Sequence, residues 1–187
     1  MSEGTGYGEL MILDQQKDVS GENQVQISAG YDVTNPYLNT YGFSISYLKE
    51  WTPILDFGAE GTIYSSNPSR YNETLRDELS VFGITADQDR PSMSAFGLLR
   101  LRLLDGRVNL LGYKALPFRF HFKLGSGAIW HEDHTRNSAL TWGFEPSLFL
   151  SPHWGCSLRF DQDVDGAWSG KKLIYRNRLS LSLTRVF

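Results

Sequence analysis

A chain of 187 residues is long enough for one domain with a sizeable core, and a formal charge of −3 gives a nucleic-acid partner no electrostatic support. Gly, Ser and aromatic residues are plentiful while helical periodicity is scarce, which favours an all-β architecture. The single cysteine, Cys156, excludes an internal disulfide framework, and no run of about eighteen apolar residues exists to make a spanning helix.

Residues 1–22 carry Gly, Ser, Glu, Asp and Gln with little period, which predicts a loosely held N-terminal arm with a short docked segment around Leu10 to Leu13. Met1 is followed by the polar SEGTGYGELMILDQQKD with no basic start, so no signal peptide is read there. That beginning fits a cytoplasmic chain, or a mature exported chain supplied with a starting Met.

The first predicted strand runs from about Asn23 to Val33, with Val25, Ile27, Ala29, Tyr31 and Val33 on one face. Tyr41, Phe43, Ile45 and Tyr47 alternate with Gly42, Ser44 and Ser46 in a second strand. After the short link KEWTP, Leu55, Phe57, Ala59 and Ile63 alternate with Asp56, Gly58, Glu60 and Thr62 in a third. The period then changes. Tyr71, Leu75, Leu79 and Phe82 are spaced four, four and three apart, predicting a helical insertion over about 69–83 with Ser69 or Asn72 as cap and Gly83 as stop.

A fourth strand places Ala95, Gly97, Leu99, Leu101 and Leu103 opposite Arg100 and Arg102, and DGRVNLLGYKALP reads as a connection of medium length. In the fifth, Phe118, Phe120, Phe122, Leu124, Ala128 and Trp130 oppose Arg119, His121, Lys123, Gly125 and Gly127. The sixth sets Leu140, Trp142, Phe144, Leu148 and Leu150 against Thr141, Gly143, Glu145 and Ser147; the seventh sets Trp154, Cys156, Leu158 and Phe160 against Gly155, Ser157, Arg159 and Asp161. Cys156 reads as a small apolar filler in its strand. DVDGAWSGKK leads to the closing strand, where Leu179, Leu181, Leu183 and the final Phe187 share a face with Tyr175. Eight strands over residues 23–187, with tight links after the second and sixth and longer ones after the first, third, fifth and seventh, predict an antiparallel up-and-down barrel. The link after the fourth is the exception.

Alternation does not say which face is inside. A soluble lipocalin-like barrel keeps its apolar face in and binds a small apolar ligand, whereas a membrane barrel reverses this. Asp56, Glu60, Arg100, Arg102, Arg119, His121, Lys123, Glu145, Arg159, Asp161, Arg176 and Arg178 all fall on the polar face, mixed in sign and interspersed with Gly and Ser. In a narrow eight-stranded lumen these side chains can satisfy one another. The rings of Tyr31, Tyr41, Tyr47, Trp130, Trp142, Trp154 and Tyr175 are read near strand ends, as interfacial girdles require. The expectation is therefore a transmembrane barrel, with a soluble barrel as the alternative.

The stretches AGYDVTNPYLNTYGFSISYLKEW, ETLRDELSVFGI, GRVNLLGYKALPFRFHFKLGSGAIW and SLFLSPHWGCSLRFDQD resemble the outer-membrane β-barrel family of myxobacteria and their predatory relatives. The resemblance implies a small porin-like barrel in the outer membrane with no catalytic motif. It also implies that the closing strand, with Leu179, Leu181, Leu183 and Phe187, is read by the barrel-insertion machinery.

His131, Glu132, Asp133 and His134 crowd one loop and read as a solvated polar turn in preference to a metal site; no metal or cofactor is expected. No G-x-S-x-G elbow or comparable nucleophile signature occurs, and His121, His131, His134 and His153 do not converge on one nucleophile, so a lipid-modifying enzyme is the lesser alternative. Lys171 and Lys172 are placed to touch anionic headgroups. The expected function is a non-enzymatic barrel with a closed, charge-filled lumen. It contacts membrane lipid and forms a homo-oligomer through the stripe Tyr71, Leu75, Leu79 and Phe82.

Overall fold

In the computed structural model, which describes residues 22–34, 38–69, 90–110, 114–167 and 173–187, the chain forms eight antiparallel strands closed into a barrel in sequence order. These are β1 (Asn23–Asp32), β2 (Leu38–Thr52), β3 (Leu55–Pro68), β4 (Pro91–Leu110), β5 (Lys114–His131), β6 (Arg136–Phe149), β7 (Trp154–Asp165) and β8 (Ile174–Val186). Closure comes from β1 pairing with β8, Ile27 opposite Leu183 and Tyr31 opposite Leu179. No sheet edge is then left around the wall.

The register fixes the shape. Starting at Phe187 and stepping through cross-strand partners Asn23, Lys49, Phe57, Leu99, Leu124, Trp142 and Gln162, one circuit returns to β8 at Asn177. That offset of ten residues, at about 3.3 Å per residue, tilts the strands by about 40° from the barrel axis. Phe187 and Asn177 then differ in height by about 25 Å, the height of the outward apolar band of membrane barrels.

The two faces are inverted relative to a soluble barrel. Ile45, Phe57, Ile63, Leu99, Leu158, Leu179, Leu181 and Leu183 are exposed on the outside, Leu181 at 69 %. Arg100, Arg159, Asp161 and Glu60 are buried inside, Arg159 at 1 %. The alternation that makes each strand also sorts its side chains between outside and lumen. Tyr31 and Tyr41 lean on each other near one rim, and Trp51 meets Phe57 near the other.

Three expectations need correction. The segment read as a connection after the fourth strand is mostly strand: pairing continues from Asp105 opposite Arg119 to Leu110 opposite Lys114, leaving three residues between β4 and β5. A bulge at Arg102/Leu104 shifts the parity there, which broke the alternation in the sequence and made Asp105-Gly106 look like a turn. The links after β2, β4 and β6 are therefore all short, and they share one rim with the start of β1 and the end of β8, the near rim. Second, Trp142 is not at a strand end: it faces Leu124 and Gln162 halfway along β6, edge-on to Phe144, and belongs to the belt. Third, the lumen is not wholly polar. Leu48, Phe96, Leu98, Ile129 and Ala139 form a buried apolar seam on the β2–β4–β5–β6 side. The arm at 1–21 and the insertion predicted over 69–83, with Tyr71, Leu75, Leu79 and Phe82, lie outside the described residues except Ser69, as do Lys171 and Lys172.

Candidate functional site in the barrel lumen

Inward positions two residues apart on neighbouring strands stack charges in tiers along the barrel axis. At the near rim Arg102 reaches Glu50 at 3.3 Å, while Arg102 and Arg119 flank Asp105 at 3.6 and 3.7 Å. One tier up, Arg100 donates to Asp56 and Gln24 and reaches Glu145, which also accepts from Gln26 at 2.7 Å and from Ser157 at 3.1 Å.

The middle tier is the densest. Glu60 and Asp161 take up three cations at once: Arg159 at 2.5 and 2.9 Å, Arg178 at 3.1 and 3.4 Å, and Lys123 at 3.6 and 2.7 Å. These five side chains come from β3, β5, β7 and β8, so the cluster ties non-adjacent walls together across the lumen. Burying a charge without a partner is prohibitive, and mutual pairing of this kind is what makes the burial tolerable.

Toward the far rim, Arg178 also donates to the Tyr64 hydroxyl at 3.1 Å, and Tyr64 meets Ser94. A small cleft opens there, lined by Asp32, Thr40, Gly42, Tyr64, Asp163, Arg176 and Arg178. Above it Asp165 lies 3.0 Å from His131 Nε2 and 3.4 Å from Arg176.

All eleven charged residues singled out by alternation, Asp56, Glu60, Arg100, Arg102, Arg119, Lys123, Glu145, Arg159, Asp161, Arg176 and Arg178, point into the lumen, and all are fully buried except Arg102 and Arg119 at the near rim. Leu179, Leu181, Leu183 and Phe187 are exposed on the outer surface. Sequence reasoning missed Asp163, Asp165 and Tyr64, because β7 and β3 run further than expected. The continued parity of Asp161, Asp163 and Asp165 was the available signal.

His131 departs from the expected solvated loop. It is the last residue of β5, is buried, and faces the lumen against Asp165, whereas Glu132, Asp133 and His134 are exposed in the turn. Among the described residues no group of three or more His, Cys, Asp or Glu could hold a metal ion. The lumenal hydroxyls of Ser28 and Ser157 engage Arg159, Ser182, Gln26 and Glu145, and none of those contacts is to an imidazole.

No family model matches the chain, and no curated protein does. Solved structures similar to it include Neisserial surface protein A, at 10% identity over 89% of this chain and 96% of that chain, with a TM-score of 0.49. A barrel from the de novo design of transmembrane β-barrels gives 10% identity over 89% and 96%, with a TM-score of 0.41. Ail, the attachment invasion locus protein of Yersinia pestis, gives 12% over 90% and 99%, with a TM-score of 0.36. At these identities the likeness concerns fold alone.

What the lumen can do chemically follows from its own contacts. Cations and carboxylates engage one another in the near and middle tiers, the middle tier ties β3 to β5, β7 and β8 across the lumen, and the apolar seam lines the β2–β4–β5–β6 side.

Proposed function

We propose that this chain is a non-enzymatic outer-membrane β-barrel of the small porin-like kind, with a lumen closed by its own ion pairs. The observation that carries the reading is the inverted polarity: leucines and rings outside, guanidiniums and carboxylates inside. In water such an exterior would be an aggregation surface far larger than a few hundred Å²; in a bilayer it is the expected face. The motif resemblance to the myxobacterial barrels supports the same assignment. In that setting the near rim, with the start of β1, the end of β8 and the short links, faces the periplasm, and Leu179, Leu181, Leu183 and Phe187 form the signal for the insertion machinery. Lipid is then the obligatory partner. The stripe Tyr71, Leu75, Leu79 and Phe82 supplies contacts between copies in a homo-oligomer.

Two measurements test this. Unheated protein refolded in detergent is expected to migrate differently from boiled protein in an SDS gel, and to give no stable single-channel steps in a planar bilayer. A chain that stays soluble and monodisperse without detergent, or large steps from the monomer, would reject it. Charging Leu75 and Leu79 together is expected to release monomers in detergent; an unchanged oligomer removes the stripe from the interface.

A further inference from the structure

The β4–β5 hairpin does not stop at the rim. β4 pairs with β3 only as far as Leu101 opposite Leu55, with one more bond from Arg102 N–H to the Ile54 carbonyl. Its pairing with β5 continues to Leu110 opposite Lys114. On the other side, β5 pairs with β6 only from Phe118 onward. Residues 103–110 and 114–117 therefore form a two-stranded ribbon that projects past the short turns at 53–54 and 150–153 on the same rim. At about 3.3 Å per residue and the barrel's tilt, the ribbon extends on the order of 10 Å beyond them.

A ribbon has two edges, and these differ. On the β5 side Pro117 removes a backbone donor, a common way to blunt an edge. On the β4 side, 103–110 reads LLDGRVNL with no proline, and no described residue pairs with that edge beyond Arg102. The bulge at Arg102/Leu104 puts two consecutive leucines outward, Leu103 at 45 % and Leu104 at 62 % exposed, with Val108 also exposed. An open, partly apolar β edge is a template for one more strand.

We propose that the N-terminal arm supplies that strand, residues around Leu10–Leu13 adding along the β4 edge at 103–108. The arm leaves the barrel at the right place. Glu50 N–H donates to the Glu22 carbonyl near the end of β2, continuing the β1–β2 ladder, so β2 and β3 separate the arm's exit from β4. Nine residues lead from Leu13 to Glu22 and can span up to about 30 Å, against about 14 Å for three strand spacings. The run Leu10-Met11-Ile12-Leu13 is the one apolar stretch of residues 1–21, whose charges are Glu3, Glu9, Asp14 and Asp18 against Lys17. The ribbon and its base carry the opposite balance, Arg102, Arg107, Lys114 and Arg119 against Asp105 and the Glu50 that Arg102 reaches. A tethered segment meets its site at an effective concentration of about millimolar, so modest strand-pairing energy is enough. The inference holds whichever compartment the ribbon enters, and so stands apart from the membrane assignment.

The test uses the full chain, folded in detergent micelles, in a Cys156→Ser background. Met11→Cys paired with Val108→Cys is expected to cross-link within one chain with a short thiol reagent. Met11→Cys paired with Leu150→Cys, at the β6–β7 turn of the same rim, is the control and is expected to stay unlinked. Removing residues 1–21 is expected to speed amide hydrogen exchange across 103–108 by about tenfold while leaving the wall strands unchanged. Equal linking of the two pairs, linking only between chains, or unchanged exchange after removal of the arm would each overturn the proposal.

Discussion

Arg100 holds Asp56 through two nitrogens on one oxygen, Nε and Nη2 at 2.8 and 2.6 Å from Oδ2, across the register pair that joins β4 to β3. Both side chains are buried, so the pair is sustained by mutual neutralisation and not by solvent. Asp56→Ala leaves the guanidinium with Glu145 and a neutral Gln24 and is expected to lower stability by about 3–5 kcal/mol. Replacing all three members, Asp56→Leu with Arg100→Met and Glu145→Gln, is expected to lose less than the single change, since no charge is then stranded. Urea unfolding of the barrel in lipid vesicles measures both; a triple variant weaker than Asp56→Ala would show that the cluster does more than cancel charge.

The outer surface gives an independent test of depth. Leu181 lies near the middle of the belt and Leu150 at the near rim, both outward and both exposed. In a bilayer Leu181→Arg is expected to cost about 2–4 kcal/mol and Leu150→Arg about 0–1 kcal/mol, because only the first places a guanidinium in hydrocarbon. Equal penalties in vesicle unfolding would mean that depth does not matter and that the exterior does not contact acyl chains.

The fold was legible because a period of two is written into every wall strand. Ser180, Ser182 and Thr184 against Leu179, Leu181 and Leu183 state both the strand and its two environments. The charged half of the lumen was legible for the same reason. Alternation fails where a bulge resets parity, as at Arg102/Leu104, and where a polar strand end resembles a turn, as at Asp163 and Asp165. The apolar seam was illegible for a different cause. Phe96 and Leu98 share parity with Arg100, but their outward neighbours are Ala95 and Gly97, so residue size pointed the wrong way. Which cation meets which acid depends on the ten-residue offset around the barrel, and no local pattern encodes that.

The turn at the far rim offers a titration. Thr135 donates to Asp133 Oδ1 from its hydroxyl at 2.7 Å and from its backbone N–H at 3.0 Å, and these bonds, the hydroxyl first, hold the Asp133 carboxyl below its ordinary value. A depressed carboxyl favours the ordered turn above the ordinary carboxylate range, and that contribution is lost as pH falls through the lowered value. Thr135→Val removes one donor and leaves the other, so the Asp133 pKa is expected to rise partway toward normal in a carbon-detected NMR titration. An unmoved midpoint would show that the hydroxyl is not the main cause.

Glycines inside the lumen set how closely the middle tier can approach its own wall. Gly143 on β6 faces Asp161 on β7, and a Cβ added there would sit 2.3 Å from the Phe160 carbonyl oxygen and 2.5 Å from Asp161 Oδ1. The nearest obstacle is backbone, so no side-chain rotation relieves it. β7 would have to move away, taking Asp161 from Lys123 on β5 and Arg159 from Glu60 on β3. Gly61 on β3 faces outward and would meet nothing within 4 Å. Gly143→Ala is therefore expected to destabilise the barrel by about 1–3 kcal/mol. Gly61→Ala is expected to be neutral or to stabilise by up to about 1 kcal/mol, by limiting the unfolded chain. If the two alanines shift the urea midpoint alike, the close fit of Asp161 against β6 is not what holds the lumen shut.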